Sequence, residues 1–236
     1  MKSKKRRLVI AILGGLTAIG PFAIDIYLPA IPRIAIDLET GIPQVMLTLA
    51  SYFIGVSLGQ LLYGPLLDRF GRKLPIMAGL GIFIIGTIGC AFSPSINWLI
   101  GCRFVMALGA CVGVVGGRAV VRDIFPRSET ARIFSVLMLF LGVAPVLAPS
   151  VGGAIVTMAD WRWVFGVLFI LGCLLLAAVA ALIPESSKPD REVSLHPAQV
   201  LRNYWIVAKN PVFLSYATAS GAAQAVLYSY LAGSPF

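Results

Sequence analysis

Charged residues are scarce in this sequence: they make up 12% of 236 residues, against about 25% in an ordinary globular domain. Hydrophobic residues make up 58%, and the mean hydropathy is +0.91. So few charges cannot cover the surface of a soluble domain of this length. Most of the surface is therefore expected to face something other than water.

Residues that build metal and redox sites are also few. The four cysteines, Cys90, Cys102, Cys111 and Cys173, show no metal-ligand spacing and are expected to be buried packing residues. The single histidine, His196, falls in a polar segment and is expected to be solvated. The sequence contains no phosphate-binding loop, dinucleotide fingerprint or catalytic triad. We expect neither an enzyme nor a metal site.

Long uncharged runs divide the chain. A helix needs about 20 residues to cross a bilayer core, and helix satisfies its own backbone hydrogen bonds there. Barrel strands would alternate apolar and polar residues, which these runs do not. The runs predict six membrane helices: Leu8–Ala30, Gln44–Leu67, Leu74–Phe92, Ile96–Val121, Thr130–Met158 and Trp161–Ile183.

One extended polar stretch follows the sixth predicted helix. Within it, Ser194–Ala208 predicts a short helix on the membrane surface, with Ser194 as N-cap and one apolar face. A flexible linker is the alternative. The predicted parts are a six-helix bundle (1–183), a cytoplasmic central loop with the interfacial helix (184–210) and a truncated seventh helix (211–236).

Basic residues concentrate in alternate loops. Fifteen of the nineteen lie before the first helix, between the second and third, between the fourth and fifth, or after the sixth. Only Arg33 and Arg162 lie in the other loops, where Trp161 and Trp163 are expected at the outer interface. The positive-inside rule then places the N-terminus and the central loop in the cytoplasm. The net charge of +9 could indicate nucleic acid or anionic lipid, but its distribution argues against either as the main partner, and we expect no nucleic-acid partner.

Two charged side chains fall inside predicted membrane helices. A carboxylate such as Asp25 costs roughly 2.5 to 3.5 kcal/mol near mid-membrane, so such residues usually face a cavity and have a function. The alternative is that Asp25 lies near the outer end of its helix and reaches interfacial water. Arg103 needs a partner or a watered cavity because its guanidinium stays charged. Its alternative is extension to the outer surface.

Other polar residues allow simpler interpretations. Gln60, in the second helix, either hydrogen-bonds across helices or faces a cavity. Arg118, Arg122 and Asp123 lie near the cytoplasmic end of the fourth helix. We predict that these three are structural charge partners of the neighbouring loop.

Small residues predict how the helices pack. Two pairs at four-residue spacing allow close approach: Gly55 with Gly59, and Gly109 with Gly113. Proline breaks the helical hydrogen-bond ladder, so the glycines and prolines of residues 142–153 predict a kinked or locally irregular fifth helix.

Four stretches carry a resemblance to one family. The loop 64–73, GPLLDRFGRK, resembles the signature G-x-L-a-D-R-x-G-R-K of the major facilitator superfamily, with Leu67 where a small residue is usual. Residues 25–32, DIYLPAIP, are similar to the first helix of its drug-efflux members. Residues 103–123 resemble their fourth-helix motif, with Met106 in place of Gln. Residues 142–153 resemble their fifth-helix antiporter motif, with Ala148 in place of glycine. The whole chain resembles the Bcr/CflA group of drug resistance transporters.

The resemblance implies an all-α membrane protein: the six-helix N-terminal bundle of a twelve-helix transporter plus the start of helix seven. It implies that Asp25 takes part in proton and substrate coupling and that Arg103 tunes this exchange. Tyr27, Gln60 and Met106 become candidates for the cavity wall. The implied cytoplasmic gate is Gly64, Asp68, Arg69, Gly71, Arg72 and Lys73. The implied antiporter motif includes Gly142, Pro145, Pro149, Gly152 and Gly153.

These observations predict a drug:proton antiporter that exports small lipophilic or cationic compounds by alternating access, of the multidrug or bicyclomycin-resistance type. The proton gradient would supply the energy without a cofactor. The expected partners are the lipid bilayer, protons, a drug-like substrate and a C-terminal six-helix half. An uptake symporter for a small metabolite, or an inactive fragment acting only as a membrane scaffold, are the alternatives.

Overall fold

The computed structural model describes residues 3–190 and 193–233, and all regular secondary structure within these ranges is helical. Lys2 and Arg191 of the predicted charge pattern, and the predicted end of the seventh helix at Phe236, lie outside the described residues. The chain divides into two compact units, residues 1–190 and 191–236.

The first unit contains a short 3-10 helix, Leu28–Ala30, and eight α-helices. These are α1 (Ser3–Asp25), α2 (Ile31–Asp37), α3 (Ile42–Phe70), α4 (Lys73–Ala91), α5 (Ile96–Ala110), α6 (Val112–Ile124), α7 (Arg127–Met158) and α8 (Arg162–Leu182).

Six stretches of the described chain are long and apolar enough to cross a membrane, which confirms the predicted all-α membrane fold. We call them spans one to six in chain order. They are Lys4–Asp37, Ile42–Phe70, Lys73–Ala91, Ile96–Ile124, Arg127–Met158 and Arg162–Leu182. The first span therefore joins α1 to α2, and the fourth joins α5 to α6 through Cys111.

The first span is interrupted in its middle. Pro29 and Pro32 lack the backbone N–H that a continuous helix needs, so α1 ends at Asp25 and a new helix begins at Ile31. In the gap, Tyr27 N–H donates to the Ile24 carbonyl at 3.2 Å. The sequence predicted that this helix ends at Ala30. In the structure the span continues to Asp37, because the prolines restart the helix instead of stopping it.

Glycine brings the spans into backbone contact. A methyl group at Gly55 would lie 2.7 Å from the Phe104 carbonyl oxygen, so span two packs directly on span four. A methyl group at Gly113 would collide with the carbonyl oxygen of Leu16 in span one. Close packing at the predicted glycine pairs is therefore confirmed, and it places span four between spans one and two.

The second unit contains α9 (Pro197–Ala208) and α10 (Pro211–Gly233). The residue that precedes α9 is His196, which makes no side-chain cap. The Ser194 hydroxyl instead accepts from the His196 N–H at 3.2 Å. The prediction of Ser194 as N-cap is therefore wrong, because the proline at 197 sets the helix start two residues later. No residue of α9 is buried.

Candidate functional site

Asp25 lies at the break of the first span and is 4% exposed. The same span continues for twelve residues beyond it, to Asp37, roughly 18 Å at the helical rise. The carboxylate therefore lies buried and away from the end of the apolar stretch, and its depth in the membrane stays a prediction. Within the described chain, Asp25 makes no hydrogen bond or ion pair. The role of this carboxylate remains a prediction.

Arg103 is fully buried on α5, so extension to the outer surface is contradicted. Its guanidinium carbon lies 4.3 Å from the ring centre of Tyr27 and 4.6 Å from that of Tyr52. Nη1 donates to the Ala23 carbonyl at 3.1 Å. In the described residues, Nε and Nη2 have no hydrogen-bond partner. Two aromatic faces and one carbonyl therefore compensate for the loss of water.

The two tyrosines are themselves held in place. The Tyr27 hydroxyl is 2.9 Å from the Thr48 hydroxyl oxygen, and the Tyr52 hydroxyl donates to the Gly20 carbonyl at 3.2 Å. The rings thus connect spans one and two around a side chain from span four. Sequence reasoning missed Tyr52, because its only signal was an aromatic residue within an apolar run.

No ion pair joins Asp25 to Arg103 among the described residues. The guanidinium instead contacts Ala23 and Tyr27, two residues before and two residues after the carboxylate. Arg103 therefore contacts the first span on both sides of Asp25, through the Ala23 carbonyl and the Tyr27 ring, and leaves the Asp25 carboxylate without a partner. Arg103 therefore positions the residues around Asp25 and does not form an ion pair with its carboxylate.

The other cavity candidates differ in burial. Met106 is fully buried, and a methyl group at Gly86 would lie 2.6 Å from its Cα. Met106 therefore packs against span three, and its placement on a cavity wall is wrong. Tyr27 is also fully buried and faces Arg103. Gln60 is exposed and makes no hydrogen bond within the described chain, so no cross-helix bond forms among these six spans.

A network of charges joins the ends of spans two, three, four and six. The Arg72 guanidinium donates through Nη1 to Asp68 at 2.7 Å and through Nε to Asp123 at 2.8 Å. Burial acts to lower the pKa of Arg72, but its hydrogen bonds to Asp123 and Asp68 outweigh this and raise the pKa above its ordinary value. Asp123 also accepts from the Ser186 hydroxyl at 3.2 Å.

Glu185 completes this network from the end of span six. Its carboxylate accepts from the backbone N–H of Arg72 at 2.7 Å and of Lys73 at 3.2 Å, where α4 begins. An anion at a helix N-terminus is stabilised by the free N–H groups and the helix dipole. Gly71 makes room for it: its φ is +82°, and a methyl group there would lie 2.9 Å from the Glu185 carboxyl carbon.

Sequence reasoning missed Glu185. The available signal was an acidic residue directly after an apolar helix, on the same predicted side as the loop 64–73. Lys73 adds a further link, since its Nζ donates to the Ala180 carbonyl at 2.6 Å. Arg69 instead lies 5.9 Å from the ring centre of Phe70, and Gly64 lies inside α3.

The predicted charge partners of span four behave differently from one another. Asp123 pairs with Arg72 of the loop after span two. Arg118 and Arg122 are exposed, and neither pairs with Asp123 in the described structure. The prediction of a structural role therefore holds for the aspartate, through a partner on another span.

The fifth span contacts the break of the first. A methyl group at Gly152 would collide with the Ile26 carbonyl oxygen, next to Asp25. Gly142 and Gly153 have open space where a Cβ would lie. The helix α7 continues through Pro145 and Pro149 without interruption, so the predicted local irregularity is absent from it. Of this motif, Gly152 is the residue that the packing requires to be small.

A second charge cluster lies at the opposite end of the bundle. The Asp37 carboxylate accepts from the Trp161 indole N–H at 3.1 Å and from Arg162 Nη1 at 2.7 Å. Trp161 is 1% exposed and packs inside the bundle at the start of the sixth span, where its interfacial depth stays a prediction. Trp163 is the exposed ring of this pair, at 62%. The cluster ties the end of the first span to the start of the sixth.

A sequence profile of the Major Facilitator Superfamily matches residues 8–236. The chain is 36% identical to the uncharacterized MFS-type transporter YdgK of Bacillus subtilis strain 168, over 98% of this chain and 58% of the relative. It is 32% identical to a bicyclomycin resistance protein homolog of Haemophilus influenzae, over 98% and 58%. It is 31% identical to multidrug resistance protein D of Escherichia coli K12, over 92% and 54%. The chain thus spans about half the length of these curated relatives.

A solved structure gives the same architecture. The proton:xylose symporter XylE, bound to 6-bromo-6-deoxy-D-glucose, superposes with a TM-score of 0.70 at 16% identity. The match covers 79% of this chain and 46% of that one. At this identity the likeness concerns the fold alone: one six-helix bundle corresponds to about half of a solved transporter.

Proposed function

The chain belongs to the major facilitator superfamily, and we propose that it is the N-terminal half of a proton-driven exporter of drug-like compounds. The relatives named for bicyclomycin and multidrug resistance support the substrate class. The residue that supports proton coupling is Asp25, a nearly buried carboxylate without a partner at the break of the first span. The matched family consists of transporters, which argues against an enzyme.

In the proposed mechanism, Asp25 carries the proton. An ionised carboxylate inside a membrane protein is costly unless water or a cation reaches it. A cationic or lipophilic substrate that approaches from the cytoplasm would bind beside the ionised carboxylate. A proton arriving from the outside would then neutralise Asp25 and release the substrate. Release of that proton to the cytoplasm would complete the cycle.

Arg103 and Gly152 act on the acid through the residues beside it. Arg103 contacts the Ala23 carbonyl and the Tyr27 ring on the two sides of Asp25, and Gly152 lies against the Ile26 carbonyl. Neither group neutralises the carboxylate. Their function in this proposal is to hold the break open, so that Asp25 can exchange a proton without a change of helix position.

The network around Arg72 acts as the cytoplasmic gate. It links the ends of four spans through Asp68, Asp123 and Glu185. Alternating access requires two packings of a bundle pair around one central site. In this proposal the network keeps its own bundle rigid while a second six-helix half moves against it. We place the N-terminus and this gate on the cytoplasmic side of the inner membrane, following the distribution of basic residues.

The test uses the protein as its gene encodes it, in everted membrane vesicles energised by respiration. Wild type should accumulate bicyclomycin or ethidium, and addition of either compound should dissipate part of the proton gradient. Asp25→Asn should abolish both signals, whereas Asp25→Glu should retain part of each. Unchanged export by Asp25→Asn would contradict the role of Asp25. Proton-dependent loss of a small metabolite from these vesicles, without drug accumulation, would indicate an uptake symporter instead.

A further inference from the structure

A cavity of about 320 Å³ opens where the first and fifth spans begin. Asp25 lies at the other end of α1. The proposed transport mechanism does not use it. Its wall combines charged and apolar side chains from two helices only: Arg6, Arg7 and Ile10 of α1, and Arg132, Ile133 and Val136 of α7.

The two helices run parallel with a constant register. Arg6 pairs with Glu129 in the first turn of α7. Further along, a methyl group at Gly14 would contact the Phe140 ring, and one at Gly152 would contact Ile26. In both contacts the residue of the fifth span follows its partner in the first span by the same number of positions in the sequence. The same offset places Arg132 at the level of Arg6, and Val136 at the level of Ile10.

The cavity wall therefore changes character with depth. On each helix the arginines lie at the end of the bundle, and the apolar residue lies one turn further into the span, about 5 to 6 Å deeper at the helical rise. A soluble anion would need only the charged level. A wall that is cationic at the rim and apolar one turn deeper fits an amphiphile.

Two of the three arginines are not neutralised. Arg6 is paired with Glu129, and its guanidinium lies 5.8 Å from the Phe125 ring centre. Arg7 and Arg132 are exposed and make no hydrogen bond or ion pair in the described residues. Each guanidinium presents a planar fork that matches two phosphate oxygens.

We propose that this cavity binds the headgroup of an anionic phospholipid. The phosphodiester lies between Arg7 and Arg132, and the glycerol and first acyl carbons lie along Ile10 and Val136. Basic pockets between membrane helices bind anionic headgroups in this way. The volume accommodates a headgroup, while the acyl chains stay in the bilayer. The inference requires a membrane-embedded bundle and is independent of the direction of transport.

Native mass spectrometry of the purified full-length protein provides the test. The probes are dioleoylphosphatidylglycerol, which is anionic, and dioleoylphosphatidylethanolamine, which is zwitterionic with the same chains. Wild type should retain one phosphatidylglycerol preferentially. The double variant R7Q/R132Q should bind it about thirtyfold more weakly, from roughly fivefold for each basic residue at an anionic lipid surface.

The matched control is K4Q/K5Q, which removes the same net charge from two exposed residues of α1 that do not line the cavity. It should bind phosphatidylglycerol within about twofold of wild type, because the screened long-range field changes little. The variant R7K/R132K keeps both charges and serves as a control for misfolding of R7Q/R132Q. It should bind several-fold more weakly than wild type, since lysine lacks the planar fork.

Three results would overturn the proposal. One is equal phosphatidylglycerol binding by wild type and R7Q/R132Q, or by wild type and R7K/R132K. Another is equal retention of the two phospholipids by wild type. The third is displacement of phosphatidylglycerol by millimolar inorganic phosphate, which would identify a site for a free anion.

Discussion

Replacement of Arg103 tests which of two large opposing energies prevails at the candidate site. The favourable side contains one charge-assisted hydrogen bond to Ala23, about 1.5 to 3 kcal/mol. It also contains two cation–π contacts, to Tyr27 and Tyr52, about 2 kcal/mol each when desolvated. The total is about 6 kcal/mol.

The unfavourable side is of similar size. Nε and Nη2 are buried without a partner, at about 1 to 3 kcal/mol each. Removal of the charge from water costs several kcal/mol more. We therefore expect Arg103→Met to change the free energy of unfolding by less than about 2 kcal/mol, because the apolar side chain removes the favourable contacts of the guanidinium together with the cost of burying it.

Arg103→Lys should be less stable than Arg103→Met. Lysine keeps the buried charge but cannot stack a planar group on two rings while it reaches the Ala23 carbonyl. Thermal unfolding in detergent can be followed with a thiol-reactive dye, because Cys90 and Cys111 are buried and react only on unfolding. Both variants should lose proton-coupled export. A lysine variant as stable as the methionine variant, or a methionine variant that unfolds more than about 10 °C earlier, would refute this energy balance.

Two further predictions concern the two ends of the bundle. Gly71→Ala should lower the free energy of unfolding by about 1 to 3 kcal/mol, because the backbone at φ +82° and ψ −178° strongly favours glycine and the methyl group would displace Glu185. The control is Gly81→Ala, which has open space at its Cβ and should lose no stability in the same thermal unfolding assay. Asp37→Asn should lower Tm by only about 2 to 4 °C at low salt, since its ion pair with Arg162 is 34–40% exposed and is worth at most about 1 kcal/mol. The Asp37→Asn difference should disappear in 1 M NaCl, where such a pair is screened, and a difference that persists would assign the effect to the Trp161 hydrogen bond.

Much of the fold could be predicted because every span lies in the same surroundings, the apolar interior of the bilayer. An apolar run of about 20 residues has a single way to cross lipid, so the six spans follow from hydropathy. The end of the first span did not follow, since Pro29 and Pro32 indicate a stop locally. Whether a helix restarts after a proline depends on neighbours, and here α7 packs against the break at Ile26.

The candidate site could be predicted only in part. A charge inside an apolar helix identifies Asp25 and Arg103 because its insertion cost is visible in the sequence. Their environment is not visible. Tyr52 and Glu185 come from other spans, and their side chains are ordinary in their local sequence. Met106 was assigned to a cavity by its motif position, but α4 covers it.

The sequence by itself determined the solvent of each segment, the number of spans and the two charges buried within them. These properties depend on transfer free energies, which add residue by residue along the chain. Only the tertiary structure decided that Arg103 contacts two tyrosines and leaves Asp25 unpaired. It also decided that Glu185 accepts hydrogen bonds at the start of α4, and that Arg7 and Arg132 line one cavity. Such contacts join residues from different spans, and the register between helices that creates them arises from packing, which no single segment encodes.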